Sequence, residues 1–174
     1  MSSEQAEVRV GRCCLPTAAH AHPTSRALDE ETYIFQEPQG RAQTICPRKW
    51  IHHRGNCYGY FTQRKTQAQA EEECSRYGPM ATLASIHSEG SSIVLGEYVA
   101  SQEDGAYVWI GLKDEERNGR WKWSDNSVLD YLHWGSYQPS YSGYCVALGN
   151  SRGFEYWYNY PCSYQFPFLC QYQA

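Results

Sequence analysis

The sequence has no basic excess. Its formal net charge is −4, and from Cys46 onward 11 Lys and Arg stand against 13 Asp and Glu. A nucleic-acid partner needs a basic footprint, so no nucleic acid is expected. No apolar run approaches the roughly 18–20 residues of a membrane-spanning helix, so no membrane span is expected either. Asn-x-Ser/Thr sequons are absent, which argues against N-glycosylation. There is no Gly-x-Ser-x-Gly elbow, no His-Glu-x-x-His helix and no phosphate-cradling glycine loop. His87 and His133 stand without an obvious nucleophile partner. The chain therefore reads as no enzyme, with no cofactor.

A secretory signal is missing as well. The first ten residues are polar, and Leu15-Pro16-Thr17-Ala18-Ala19 is too short and too broken for a signal core. Yet 8 Cys in 174 residues favour an oxidising compartment. The two observations conflict. Sulfur is the firmer of them, so a secreted, extracellular protein is expected, its start being an alternative one, a gene-model error or an incomplete precursor. With 15 Tyr and 6 Trp, much of the core must be ring packing.

Residues 1–45 read as a disordered tail, without helical or strand period. Adjacent Cys13 and Cys14 rarely bond each other and read as unpaired. Intermolecular pairing is one alternative. A Cys/His metal site with His20 and His22 is another, but the spacing fits no dependable zinc pattern. Arg41, just before the folded part, is an open target for a trypsin-like protease.

From Cys46 the chain reads as one domain. Cys46 to Cys57 forms a hairpin turning at Gly55-Asn56, and Cys57–Phe61 continues as a strand. His52 and His53 read as two exposed hairpin histidines, since neighbouring strand side chains point to opposite faces. Thr66 to Gln69 is a capping box opening a first helix, which stops at Gly78-Pro79. Its Glu71-Glu72-Glu73 run reads as a solvated face. Leu83–Ile86 is a short strand. Ser88 caps a second helix over about 89–101, with a stripe of Val94, Leu95, Tyr98 and Val99.

The centre is Val108–Leu112, a continuous apolar strand in which Gly111 marks a close backbone approach. Arg120–Ser124 alternates charge and ring as a half-buried strand does, with Asn118-Gly119 turning the chain between the two. Asp114, Glu115 and Glu116 read as a solvated turn. A long irregular stretch, Asp125 to Tyr144, has the length of a functional loop. Strands follow at Cys145–Leu148, Phe154–Tyr160 and Phe168–Tyr172.

Taken together, Cys46…Cys57, Cys74, Trp109-Ile110-Gly111-Leu112, Trp121-Lys122-Trp123, Cys145-Val146, Trp157…Cys162 and Phe168-Leu169-Cys170 resemble the C-type lectin-like domain over residues 46–174. The resemblance implies an α+β fold: two helices flanking antiparallel sheets, a long irregular loop, and disulfides Cys46–Cys57, Cys74–Cys170 and Cys145–Cys162. Cysteine count alone leaves the pairing open. Ile45-Cys46-Pro47, Asn56–Phe61, Gly143–Val146 and Gly153-Phe154 resemble the Reg family (regenerating proteins, lithostathine and pancreatitis-associated proteins), which is trimmed by trypsin near the position of Arg41. Asp130-Tyr131-Leu132 and Cys170-Gln171 are also similar to the galactose-binding lectins of snake venoms.

Sugar-binding members of the superfamily hold Ca²⁺ in the long loop through a Glu-Pro-Asn or Gln-Pro-Asp triplet, a Glu shortly before the third-last Cys, and an Asn-Asp pair after the Trp. The corresponding positions here read Gln138-Pro139-Ser140, Gly143 and Tyr158-Asn159. No carboxylate remains there, and calcium affinity follows carboxylate count, so no metal is expected. Contact then falls to rings and amides. The candidate ligand-binding residues are Tyr137, Gln138, Ser140, Tyr141, Tyr144, Tyr158 and Asn159, with Tyr160 beside them. Tyrosine offers a face for stacking on sugar C–H groups and a hydroxyl for hydrogen bonding.

The expected function is calcium-independent recognition of glycans or bacterial cell-wall polysaccharide. One alternative is a self-assembling or receptor-binding signalling protein that binds no sugar. The other is a calcium-dependent galactose-binding lectin of the venom type.

Overall fold

A computed structural model of the chain describes residues 46–174. The expectations for Cys13, Cys14, His20, His22, Arg41 and the tail as a whole lie outside the described residues. The elements run β1 (Ile51–His53), β2 (Asn56–Lys65), α1 (Gln67–Ser75), β3 (Thr82–Leu83), α2 (Glu89–Ala100), β4 (Val108–Lys113), β5 (Lys122–Trp123), β6 (Cys145–Leu148), β7 (Trp157–Tyr160) and β8 (Phe166–Gln173). Their sheet has the order β1-β2-β8-β4-β6-β7, with β3 added on β8 and β5 on β4. Among the described strand pairs, β4–β8, at Trp109 and Phe168, is the parallel one. The architecture is α+β, as the resemblance implied.

β4 is the centre of the packing. Val108, Trp109, Ile110 and Leu112 are all 0% exposed. Strand alternation sends them to two clusters. Val108, Ile110 and Leu112 join Leu95 and Val99 of α2 together with Trp123 and Trp157. Trp109 joins Ala70 and Cys74 of α1 with Phe168 and Cys170, and its indole N–H donates to the Lys65 carbonyl at 2.9 Å. Gly111 is the close approach that the sequence suggested. A Cβ there would lie 2.9 Å from the Leu83 carbonyl oxygen, and its N–H donates to Ala84 O at 2.9 Å.

Both helices begin where their caps predict. Thr66 and Gln69 form the reciprocal capping box, and Ser88 caps α2 by accepting from Ser91 N. Gln67, 4% exposed, fastens the start of α1 to β4 by donating to the carbonyls of Ile110 (2.9 Å) and Leu112 (3.1 Å). On α2 the buried side is Leu95 and Val99 with Ser91, Ser92 and Gly96, while Val94 and Tyr98 are half-buried. Small residues replace part of the expected stripe because the Gly153 carbonyl crosses at Gly96, 2.5 Å from where a Cβ would stand.

Several segments depart from expectation for physical reasons. The strand at 83–86 pairs only through Leu83. Ala84 N still bonds Leu169 O, but Ser85 N is taken by the Gln171 side chain at 2.9 Å, so a side-chain amide replaces the ladder. The strand at 154–160 starts only at Trp157, because Gly153 and Phe154 both have left-handed φ, 74° and 62°. Asp114 is not part of a solvated turn. It is 3% exposed, and its carboxylate accepts the N–H groups of Asn118 (3.1 Å) and Gly119 (2.8 Å); Glu115 and Glu116 are exposed. Glu71 likewise turns inward, accepting from Leu83 N at 3.2 Å, and burial raises its carboxyl pKa. His53 is half-buried rather than exposed, with Nε2 2.9 Å from Ser91 Oγ.

The disulfides are Cys46–Cys57, Cys74–Cys170 and Cys145–Cys162, with Cα separations of 5.5, 5.3 and 5.1 Å. Cys74–Cys170 closes a span of 96 residues and joins α1 to β8 through the core. Replacing Cys74 and Cys170 together by Ala, with the other bridges intact, is expected to lower the unfolding free energy by about 4 kcal/mol, read as a fall in the urea midpoint.

Candidate functional site

The Asp125–Tyr144 loop leaves the sheet after β5 and returns at β6. Trp134 and Trp157 form an isolated parallel bridge, with Gly135 N donating to Trp157 O and Trp157 N to His133 O, both at 2.9 Å. Rings secure this middle section. Trp157 meets Trp123, Tyr131 and Trp134 edge-on at 5.5–5.8 Å, a favourable geometry for ring quadrupoles.

The second half of the loop is fastened by amides. Asn159, on β7, is 2% exposed. Its Oδ1 accepts from Ser140 N at 2.7 Å, and its Nδ2 donates to the carbonyls of Ser140 and Gly143, both at 2.6 Å. Gln138 Oε1 accepts from Asn159 N at 3.0 Å. Gly143 allows this closeness, since a Cβ there would overlap the Tyr160 carbonyl. Gln138, Ser140 and Asn159 are thus brought together, but they face one another rather than solvent.

That arrangement does not fit Ca²⁺. The ion wants about six to eight oxygens, several of them anionic. The donors here are neutral, and the amide oxygens of Gln138 and Asn159 already accept backbone N–H groups. Among the described residues, no group of three or more His, Cys, Asp or Glu could hold a metal ion.

The tyrosines divide. Tyr137 and Tyr141 stand fully in solvent, 98% and 107% exposed. Tyr144 is partly exposed, with the Arg117 guanidinium 4.9 Å above its ring. It lines a separate cleft of about 230 Å³ with Gln67, Glu71, Lys113 and Cys162. Tyr158 is half-buried beneath Gly135 and Gly149, whose Cβ atoms would overlap its ring. Tyr160 packs on Tyr107 at 4.8 Å, and burial raises its hydroxyl pKa. The candidates therefore form an exposed pair, a cleft wall and a packed layer rather than one face. Residue type could not separate these roles, because the two glycines over the Tyr158 ring come from separate parts of the chain.

The sequence and fold of this domain find their counterpart in known proteins. A family model described as the lectin C-type domain matches residues 63–172. The chain belongs to the C-type lectin domain family. The C-type lectin BJcuL of Bothrops jararacussu is 36% identical over 143 residues, covering 80% of this chain and 90% of that protein. Human lithostathine superposes with a TM-score of 0.71 at 32% identity, over 74% of this chain and 100% of that one. A calcium-independent type II antifreeze protein superposes with a TM-score of 0.65 at 26% identity, over 75% and 95%. Snake lectins and lithostathine, the two branches that the sequence resembles, are thus both among its relatives.

Removing the Asn159 carboxamide leaves one N–H and two carbonyls of the loop unpaired. Asn159→Ala is expected to destabilise the domain by about 2–3 kcal/mol by chemical denaturation. Tyr137→Ala is expected to change stability by less than about 0.5 kcal/mol in the same assay.

Proposed function

We propose that this chain is a secreted, calcium-independent lectin-like protein of the Reg type, recognising glycans or bacterial cell-wall polysaccharide. Residues 46–174 are its binding domain, and residues 1–45 a tail open to trimming near Arg41. Tyr137 and Tyr141 are the contacting rings. Tyr144, on its cleft wall, and Tyr158, in the packed layer, are further candidates. Gln138, Ser140 and Asn159 keep the loop in the shape that presents them. The observation that carries the reading is the pairing of Asn159 with Ser140 and Gly143. A neutral amide holds the loop closed where a metal shell would otherwise be needed. Lithostathine among the structural relatives, and a relative described as calcium-independent, support it.

A rival reading, the calcium-dependent galactose-binding lectin, is favoured by identities of 36–39% to snake lectins and opposed by the loop's neutral donors. Self-association or receptor binding is favoured by the exposure of Val128 (75%) and Leu132 (57%) on the same loop, a surface suited to a protein partner.

A glycan and peptidoglycan screen run with and without EDTA separates these readings. Binding is expected to persist in chelator. Tyr137→Ala and Tyr141→Ala are each expected to weaken it by about ten-fold, the size of one lost aromatic anchor. Complete loss on chelation would identify the galactose-binding reading instead. Absence of any glycan signal, with a particle size that grows after brief trypsin treatment, would identify self-assembly.

A further inference from the structure

His87, on the segment between β3 and α2, is surrounded by polar groups from three parts of the chain. Its Nδ1 lies 2.7 Å from Asp130 Oδ1, and its Nε2 lies 3.0 Å from both Ser85 Oγ and Ser127 Oγ. His87 has no obvious nucleophile partner in the sequence, yet the order Ser127–His87–Asp130 has the outline of a nucleophile triad. The protons run the other way. Asp125 accepts from Ser85 Oγ at 2.6 Å, from Ser127 Oγ at 2.5 Å and from Gln171 Nε2 at 2.8 Å. Each hydroxyl has one proton to give, and Asp125 takes both. Toward His87 the two serine oxygens are acceptors, so Nε2 carries a proton. The Asp130 carboxylate is an acceptor as well, so Nδ1 carries one too. Two donating nitrogens make the ring an imidazolium, and 2.7 Å is the length of a charge-assisted bond.

This cluster ties the first six residues of the long loop to the rest of the domain. The main-chain bonds of that stretch are local, Asn126 N to Trp123 O and Asp130 N to Val128 O. Leu129 and Tyr131 pack partly on the core, while Val128 is exposed. Around the cluster, Trp123 of β5 lies 5.9 Å from the His87 ring and Gln171 of β8 is neutral. Tyr58 of β2 and Glu71 of α1 both feel the Asp125 charge, and Arg54 acts on Tyr58. Glu89 stands two residues on, at the start of α2.

We propose that protonated His87 closes a clasp between the β3–α2 segment and Asp125–Asp130, and that loss of its proton loosens the start of the long loop. Without the Nε2 proton, a serine must turn its hydroxyl from Asp125 to the ring, so one bond of the network is lost. The hydrogen bond with His87 and its charge hold the Asp130 carboxyl below its usual pKa. Burial works to raise Asp125, but the bonds from Ser127, Ser85 and Gln171 outweigh it and leave it below its usual value. A depressed carboxyl stabilises above its unfolded pKa and loses that contribution as pH falls through the folded one. Histidine is the side chain type whose charge changes between about pH 5 and 8, so pH is the variable that tests the clasp. The clasp is therefore closed where both carboxylates are ionised and His87 keeps its proton. It holds whether or not the domain binds sugar.

Amide hydrogen exchange on the full chain, corrected for intrinsic rates and referenced to β4, reads the clasp locally. A local readout is needed because burial and the neighbouring Arg54 lower the His53 pKa, which gives global stability a pH dependence of its own. Protection of residues 126–132 is expected to fall about five-fold from pH 5.5 to pH 8. Asp130→Asn and His87→Gln are expected to give flat profiles at the lower level, with β4 unchanged. A pH-independent native profile, or an undiminished fall in Asp130→Asn, would overturn the proposal.

Discussion

β4 carries large side chains on both faces, and the rest of the structure follows from the need to bury them. A strand buried on both sides must have a packed layer over each face and a hydrogen-bonded neighbour along each edge. Here α1 with Cys74 covers Trp109, and α2 with the tryptophan cluster covers Ile110 and Leu112. β8 and β6 take the edges. Because β8 lies near the end of the chain and pairs in turn with β2, both ends of the domain are drawn to one region, where Ala174 N bonds Gly55 O at 2.8 Å. The Cys74–Cys170 bridge secures that closure. The chain between β5 and β6 is left to project as a loop.

Primary amides perform the internal fastening in a domain where long segments lack a ladder. Gln67 serves two carbonyls of β4, Gln171 serves Ser85 and Asp125, and Asn159 serves Ser140 and Gly143. A carboxamide donates and accepts at once and carries no charge, so it can be buried without the desolvation that an ion would suffer. All three are under 10% exposed. The loop that presents Tyr137 and Tyr141 thereby keeps its shape through neutral groups.

Much of the framework was legible because its signals are local. The Thr66–Gln69 capping box, the Ser88 cap and the apolar run at 108–112 each state their structure within a few residues. The order of cysteines and tryptophans was specific enough to imply the pairing, which the bridges match. The candidate site was legible only in outline. Asn159 and Tyr141 looked alike as polar loop-side candidates, yet one is a buried fastener and the other stands in solvent. Asp114 looked like its neighbours Glu115 and Glu116 but turns inward to two N–H groups.

Taken by itself, the sequence determined the helix starts, the central strand, the bridges implied by its resemblance, and the absence of carboxylates where a calcium-binding loop would carry them. Only the tertiary structure decided which tyrosines are free, what the amides hold, and that His87 meets Asp130 across 43 residues of chain. The division has a physical cause. Caps and periodicity arise from neighbours in sequence, whereas burial and hydrogen-bond partnership depend on which distant segments the fold brings together.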